Sequence, residues 1–341
     1  MSVKTALLLL NLGGPKTVSE VEPYLVRMFS DKTFINIPFN LGPTIARMRA
    51  RKSVNAQYEK IGGSPLAKWT DIQGKLLVNL LDKNNPSTAP HKFYPCFRYS
   101  SPMVNEVKEE LIRDKPERIV AFTQYPQYSC ATTGNSLRDL LDNVEMKNFS
   151  VISKYATHPR YIKAWVELIK TQLSNFNDPS KVQIVFTAHS IPAFVAWRGD
   201  LYPIEISSTV NTVMQSFENL PHHLFWQSKV GLQEWLKPNT QQGLLKLASQ
   251  GIKDVLLVPI AFMQDHLETL YELDLEYVKE ANAKGMNVIR CPAPNDYPEF
   301  IQAMSSIVTE HLNEGRHCLV PRCVNCPHPE NCKTLDRLKI S

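Results

Sequence analysis

The sequence predicts an α/β protein built from two successive doubly wound parallel sheets. Three observations lead there. Short apolar runs alternate with longer helical stretches along the whole chain. The runs are continuous rather than alternating, as parallel strands covered by helices on both faces require. Three or four of them precede residue 150 and four follow it, which divides the chain into two α/β lobes.

In chain order, the runs reading as strands are Ala6–Leu12, Phe93–Tyr99, Arg118–Thr123, Val182–Thr187, His223–Gln227, Val255–Phe262 and Val288–Cys291. Helical segments such as Pro102–Arg113 and Gln241–Ala248 lie between them and complete βα units. The organisation expected is a first lobe over 1–145, a second over 146–312 and a short extension over 313–341. Ligands of such sheets bind beyond the carboxyl ends of the strands. Polar residues cluster there: Asn11, Arg98-Tyr99, Gln124-Tyr125, His189, Gln227-Ser228-Lys229 and Asp265-His266.

Composition narrows the function classes. The 341 residues are 43% hydrophobic and 21% charged, a globular balance. A net charge of +5 is too weak to call for a nucleic-acid partner. No apolar run approaches the ~20 residues of a membrane-spanning helix. The first strand begins almost at once, so no transit or secretory leader is expected in the chain as given. Gly13-Gly14-Pro15 after the first strand is not a dinucleotide fingerprint, and no phosphate-binding P-loop occurs. A tight strand-to-helix turn accounts for the two glycines.

Segment 24–52 is rich in apolar residues (Tyr24, Leu25, Met28, Phe29, Phe34, Ile35, Phe39, Leu41, Met48) and ends in Arg47, Arg49, Arg51 and Lys52. It reads either as helix and loop packed on the core or as an apolar lip with a basic rim resting on a membrane surface.

Three stretches carry chemistry. The first is Asp265-His266-Leu267-Glu268, continuing to Tyr277. On an α-helix, Asp265, Glu268, Glu272 and Glu276 fall within an arc of about 80°, with Leu267, Leu270, Tyr271, Leu275 and Val278 opposite. Most charged helix faces are simply solvated. This one starts at a strand end, where a row of carboxylates could pass a divalent cation or accept protons. The second is Thr187-Ala188-His189-Ser190-Ile191-Pro192. A histidine there suits proton removal near neutral pH; the plainer alternative is a histidine bonding the turn backbone. No nucleophile elbow surrounds Ser190. The third is Cys323-Val324-Asn325-Cys326, followed five residues later by Cys332. Three close thiols in a turn-rich segment suggest a metal centre. Seven cysteines, an odd number, argue against a disulfide knot. Spacing does not separate zinc from iron–sulfur, and Cys318, His317, His328 and the distant Cys130 are further ligands within the chain.

Asn11-Leu12-Gly13-Gly14-Pro15, Tyr58 with Ile61-Gly62-Gly63-Ser64-Pro65, Phe97-Arg98-Tyr99, Phe122-Thr123-Gln124-Tyr125-Pro126-Gln127-Tyr128-Ser129-Cys130, Ala188-His189-Ser190-Ile191-Pro192, Trp226-Gln227-Ser228-Lys229-Val230-Gly231 and Asp265 to Asp274 resemble, in collinear order, the ferrochelatases. The resemblance runs from about residue 4 to 332 and is to the mitochondrial type with a C-terminal [2Fe–2S] extension. It implies Rossmann-like lobes of the chelatase fold, and a lyase that inserts substrate Fe²⁺ into protoporphyrin IX, releasing two protons and giving haem b. By the same resemblance His189 is the catalytic base and Glu268 its acidic partner. Glu272 and Glu276 continue as a proton or metal conduit, and His158 matches a further histidine near the site. Arg98 and Tyr125 would lie on the opposite side of the macrocycle. Leu12, Trp235 and Phe262 would be apolar walls, His266 would also face the substrate, and Tyr58 and Ser64 would touch it near the mouth. Cys130 would join Cys323, Cys326 and Cys332 on the cluster.

The resemblance also implies a homodimer, peripheral on the matrix side of the mitochondrial inner membrane. Three positions depart from it. The cysteine spacing is one residue longer, with Cys318 nearby as a substitute ligand. Arg49-Ala50-Arg51 stands where paired arginines meet a propionate, and Ser306 replaces an aspartate. Two rival readings are the same chelatase acting on coproporphyrin III, and a non-catalytic iron–sulfur sensor on a chelatase fold.

Overall fold

The computed structural model of the chain describes residues 3–32, 37–144, 148–217, 219–229, 233–314 and 335. They divide into two compact units, one of residues 1–155 with 304–341 and one of residues 156–303.

The first unit is built on β1 (Thr5–Asn11), β2 (His91–Phe97), β3 (Arg118–Thr123) and β4 (Phe149–Ile152), all parallel, in the order β2-β1-β3-β4. Central position explains the composition of β1. Leu7, Leu8 and Leu9 are fully buried, because a strand hydrogen-bonded on both edges and covered on both faces has no polar side to offer. Between β1 and β2 run α1 (Val21–Ser30), α2 (Gly42–Arg49), α3 (Asn55–Ile61) and α4 (Leu66–Asn84). The glycine at 74 lets α4 lie against β2, since a Cβ there would come within 2.2 Å of the Phe93 ring. Then come α5 (Val104–Asp114) and α6 (Asn135–Asn143). Ala6, Leu8, Leu10, Leu111, Leu137 and Leu140 form one core cluster, and Leu335, 3% exposed, belongs to it.

The second unit repeats the topology. After α7 (Pro159–Leu173), β5 (Gln183–His189), β6 (His222–Gln227), β7 (Asp254–Val258) and β8 (Asn287–Arg290) form a parallel sheet in the order β6-β5-β7-β8. Its helices are α8 (Ala193–Trp197), α9 (Tyr202–Met214), α10 (Thr240–Ser249) and α11 (Lys279–Ala283); α12 (Pro298–Glu314) follows β8. From Met304 onward α12 counts with the first unit, where Asn85 donates to Thr309 at 2.6 Å and His311 bonds Ser150 at 2.8 Å.

Four expectations need adjustment. The boundary falls after Tyr155 rather than after residue 145, because β4 pairs with β3. The second unit ends at Ala303, ahead of the expected boundary at 312. The run Val255–Phe262 is a strand only to Val258; Pro259 has no N–H to donate, and the chain turns as Phe262 N–H bonds the Pro259 carbonyl at 3.0 Å. The acidic stretch is not α-helical: Glu268–Val278 is a π-helix. In its wider turn of more than four residues, a spacing of four returns almost on itself. Thr269, Leu273 and Tyr277 are therefore the buried row, while Leu275 is 44% exposed, contrary to the arc drawn for an α-helix. Glu268, Glu272 and Glu276 form the adjacent row.

Segment 24–52 is part core and part exposed. Tyr24, Leu25, Phe29 and Ala46 are core, whereas Phe39 is 90% exposed, Leu41 46% and Met48 60%. Phe39 adopts φ 57°, the left-handed region that bulky side chains avoid. Phe34 and Ile35 lie outside the described residues, as do Cys318, Cys323, Cys326 and Cys332.

Candidate active site

In both sheets the order reverses between two central strands, at β1/β3 and at β5/β7. Doubly wound folds place ligands at that switch point. The chemistry-bearing side chains gather there in each unit.

In the second unit His189 is the last residue of β5. Its Nδ1 lies 2.6 Å from the Ser190 carbonyl oxygen. A carbonyl only accepts, so Nδ1 carries the hydrogen, and in the neutral ring Nε2 holds the lone pair. Burial depresses the His189 pKa, and the Glu268 charge opposes this only in part. The imidazole is therefore a neutral base at physiological pH. The segment around Trp235 pairs antiparallel with Pro192, setting the indole edge-on to His189 at 6.5 Å between centroids.

Glu268 opens the π-helix and meets Nε2 of His266 at 2.9 Å, with 30% of its side chain exposed. Burial alone would raise its pKa. The facing His266, through charge and hydrogen bond, holds it at about 2 instead. His266 is raised in return: the Glu268 carboxylate, with Asp265 and Glu272 behind it, outweighs desolvation. The Phe262 ring lies 4.5 Å from the His266 ring. One turn on, Glu272 is pushed up to about 7, mainly by burial and then by the Glu268 charge, despite hydrogen bonds from Ser228 and Gln227. Glu276, next in the row, is exposed. The row thus runs from an ionised carboxylate, through one poised near neutrality, to solvent. Asp265 is not part of it. It accepts from Arg290 and Asn295, and Arg290 also grips Asp274. That clamp fixes the π-helix to β8. His158 sits at the N-cap of α7, its Nδ1 accepting from the Arg160 N–H at 3.3 Å.

In the first unit the Tyr125 hydroxyl donates to Asn11 Oδ1 at 2.9 Å and accepts from the Leu12 N–H at 3.0 Å. This ties the end of β3 to the end of β1 and leaves Leu12 part-exposed. Arg98 is held by two carboxylates, Asp31 at 2.7 Å and Asp139 at 3.2 Å, and by Asn135. Tyr99 donates to Asp31 at 2.9 Å. Burial raises the Asp139 carboxyl, with Arg98 opposing. Ser64 and Tyr58 are buried, Ser64 beside Gly14. Arg49 lies over the Phe29 ring at 5.8 Å, and Arg51 reaches Glu22 at 3.7 Å with most of its side chain in solvent. Cys130, half-buried, starts a π-turn over Cys130–Gly134 and packs against the cluster that contains Leu335. Among the described residues no group of three or more His, Cys, Asp or Glu is arranged to hold a metal ion.

Sequence reasoning placed His189, Glu268, His266, Glu272, Phe262 and Trp235 in one site, and the second unit brings them together. It assigned no role to Asp31, Asn135 and Asp139 around Arg98, and it counted Gln227 and Ser228 only among the polar residues at strand ends, not as partners of Glu272. A glutamine ending the strand next to that of His189 was the one available signal.

The ferrochelatase family model matches residues 4–312. Mitochondrial ferrochelatase of Drosophila melanogaster is 43% identical over 96% of this chain and 89% of its own length. The human mitochondrial ferrochelatase is 43% identical over 95% of this chain and 80% of its own. Among solved structures, SirB from Bacillus subtilis with Fe3+ superposes with a TM-score of 0.54 at 12% identity, covering 92% of this chain and 98% of that one, a likeness of fold. The switch-point histidine, its carboxylate row and a family match spanning both sheets lead to one conclusion: this chain belongs to the ferrochelatase family.

Proposed function

We propose that the chain inserts Fe²⁺ into protoporphyrin IX to form haem b. The observation that carries this reading is a part-buried, neutral His189 whose Nδ1 hydrogen is committed, leaving Nε2 as the base, coupled to an ionised Glu268.

The insertion is an exchange without redox change: two pyrrole N–H protons leave and Fe²⁺ takes the four nitrogens. In a flat ring those protons lie in the plane and block the metal. A close apolar pocket can pucker the macrocycle using its own binding energy; Leu12, Trp235 and Phe262 are the walls assigned to this. His189 Nε2 then accepts a pyrrole proton, and the Glu268 charge stabilises the imidazolium that results. Glu272, titrating near 7, passes protons on toward exposed Glu276. Arg98 and Tyr125 are assigned to the opposite side of the macrocycle by the family resemblance. Tyr58, Ser64, Arg49 and Arg51 are assigned to the substrate's rim and propionates, and His158 to the surroundings of the site.

Cys130, Cys323, Cys326 and Cys332 are assigned to one [2Fe–2S] cluster. The burial of Leu335, three residues beyond Cys332, in the cluster against which Cys130 packs supports that ligand set. When bound, such a cluster supplies a redox-sensitive cross-link between the tail and the first unit. Exposed Phe39, Leu41 and Met48, beside Arg47 and Arg51, support peripheral contact with the matrix face of the mitochondrial inner membrane. No helix among the described residues is long and apolar enough to span one. Homodimerisation follows from family likeness alone.

The test is a spectrum of the purified protein followed by metal insertion, with protoporphyrin IX and coproporphyrin III in competition. Preference for protoporphyrin and loss of insertion in His189→Ala support the reading. Preference for coproporphyrin moves it to the other porphyrin, and no insertion into either leaves the iron–sulfur sensor.

A further inference from the structure

Gln227 ends β6 in register with His189 at the end of β5. Its main-chain carbonyl accepts the Ser190 N–H at 2.8 Å, and the Ser190 carbonyl in turn takes the His189 Nδ1 hydrogen. Its side chain is fully buried and points the other way, to the π-helix. There Nε2 lies 3.1 Å from the Glu268 carbonyl oxygen and 3.3 Å from Glu272 Oε2. Behind it, Thr187 Oγ1 is 3.0 Å from Gln227 Oε1 and 2.8 Å from Thr240 Oγ1.

The polarity of this chain is forced. A backbone carbonyl only accepts, so the amide nitrogen must face Glu268. Oε1 must then accept, which makes Thr187 its donor. The single Thr187 proton is thereby used, so Thr240 must donate to Thr187. Donors run one way, from Thr240 through Thr187 and Gln227 into the turn that carries the carboxylates. All three side chains are fully buried, where no water competes and each lost partner is left unsatisfied.

We propose that Gln227 is the positioning residue of this site: its main chain orients His189, its side chain holds the Glu268–Glu272 turn, and Thr187 and Thr240 set the direction of its amide. This rests on reading His189 and Glu268 as the reacting pair. The amide acts through the groups it holds, the Glu268 carbonyl and the Glu272 carboxylate.

Two substitutions at Thr187 separate this role from packing. Thr187→Val keeps the shape and removes the hydroxyl, while Thr187→Ser keeps the hydroxyl and removes a methyl. Gln227→Met removes both ends of the amide at similar volume. Steady-state insertion into protoporphyrin is measured for each, with the thermal midpoint recorded alongside. A displaced catalytic group costs on the order of 10²-fold, so Gln227→Met should lower kcat by about that much, with KM changed by less than about threefold. Thr187→Val should fall in the same direction and Thr187→Ser should recover to near the parent. A Thr187→Ser enzyme as slow as Thr187→Val would overturn the proposal, as would loss confined to KM or unchanged kcat in Gln227→Met. Should Gln227→Met not fold, the Thr187 pair decides alone. His189→Ala runs in parallel: if it turns over normally, the reacting-pair reading falls and this proposal with it; if it is inactive while Thr187→Val is normal, only the positioning role falls.

Discussion

His189 and Glu272 show how burial moves proton affinity in opposite directions within one unit. Desolvation disfavours the charged form of each, so the imidazole loses its proton more readily and the carboxyl keeps its own. Two outcomes follow. His189→Ala should leave porphyrin binding, measured by fluorescence quenching, largely intact and cut insertion by roughly 10²–10⁴. The acid limb of the kcat/KM profile in the parent should lie below the ordinary histidine value of about 6.5, because the base stays neutral to lower pH. Glu272 also makes a stability statement. Its folded pKa of about 7 stands above the ordinary 4.5, so the folded state binds the proton more tightly. That contribution is complete below about pH 4.5 and is lost as pH rises through 7. Glu272→Gln, a mimic of the protonated form, should therefore be more stable than the parent at pH 8, by at most about 3 kcal/mol, and indistinguishable from it at pH 4. Denaturant midpoints at the two pH values measure this. Glu268 has the opposite sign: held at about 2, it contributes stability above about pH 4.5 that is lost as pH falls toward 2.

At the scale of elements, the π-helix keeps Glu268, Glu272 and Glu276 in one row while it turns Leu273 inward and Leu275 out. Residues four apart stay on one side of the wider turn, with the drift running opposite to that of an α-helix. Like charges so stacked repel, and the fold answers by pairing Glu268 with His266, keeping Glu272 near neutrality and clamping the helix by Arg290 on Asp265 and Asp274. Arg290→Met would strand two carboxylates and should destabilise the second unit by about 3 kcal/mol, seen as a lower unfolding midpoint with insertion lost in proportion. A second π-turn, Cys130–Gly134, occupies the corresponding place after β3 in the first unit. The exposed residues of segment 24–52 test the proposed membrane contact. Phe39, Leu41 and Met48 contribute little to the core because they are already in water, so replacing all three by Ser should leave the melting midpoint unchanged. It should move the protein from the pellet to the supernatant in co-sedimentation with anionic liposomes.

At the scale of the molecule, Leu335 belongs to the core cluster against which Cys130 packs, and the proposed iron–sulfur cluster would tie the cysteines that precede it to Cys130. Cys130→Ser should remove the visible absorbance of the purified protein as fully as Cys326→Ser. Cys96→Ser and Cys291→Ser should not, since both thiols are buried in core, where desolvation pushes Cys96 up to about 12 and Cys291 further. Cys318→Ser tests whether the longer spacing recruits a neighbour. A colourless protein with stoichiometric zinc would overturn the cluster and leave the chelatase standing. Leu335→Ala should weaken the tail's attachment independently of the thiols, read as faster loss of colour on dilution.

The strands and the two-lobed organisation were legible in the sequence, which also nominated His189 and Glu268 as candidates. Continuous apolar runs signal buried parallel strands, and functional residues collect at their ends. Three things were decided only by the tertiary structure. The π-helix depends on partners from β6 and β8 that periodicity cannot see, so the apolar face expected at Leu275 moved to Leu273. The short β4 carries too few residues to announce itself and becomes a strand only by pairing with β3, which shifts the boundary to Tyr155. Proton affinities depend on what surrounds each group. Glu268 and Glu272 are the same residue type four positions apart, and burial beside a cation in one case and beside an anion in the other moves one to about 2 and the other to about 7.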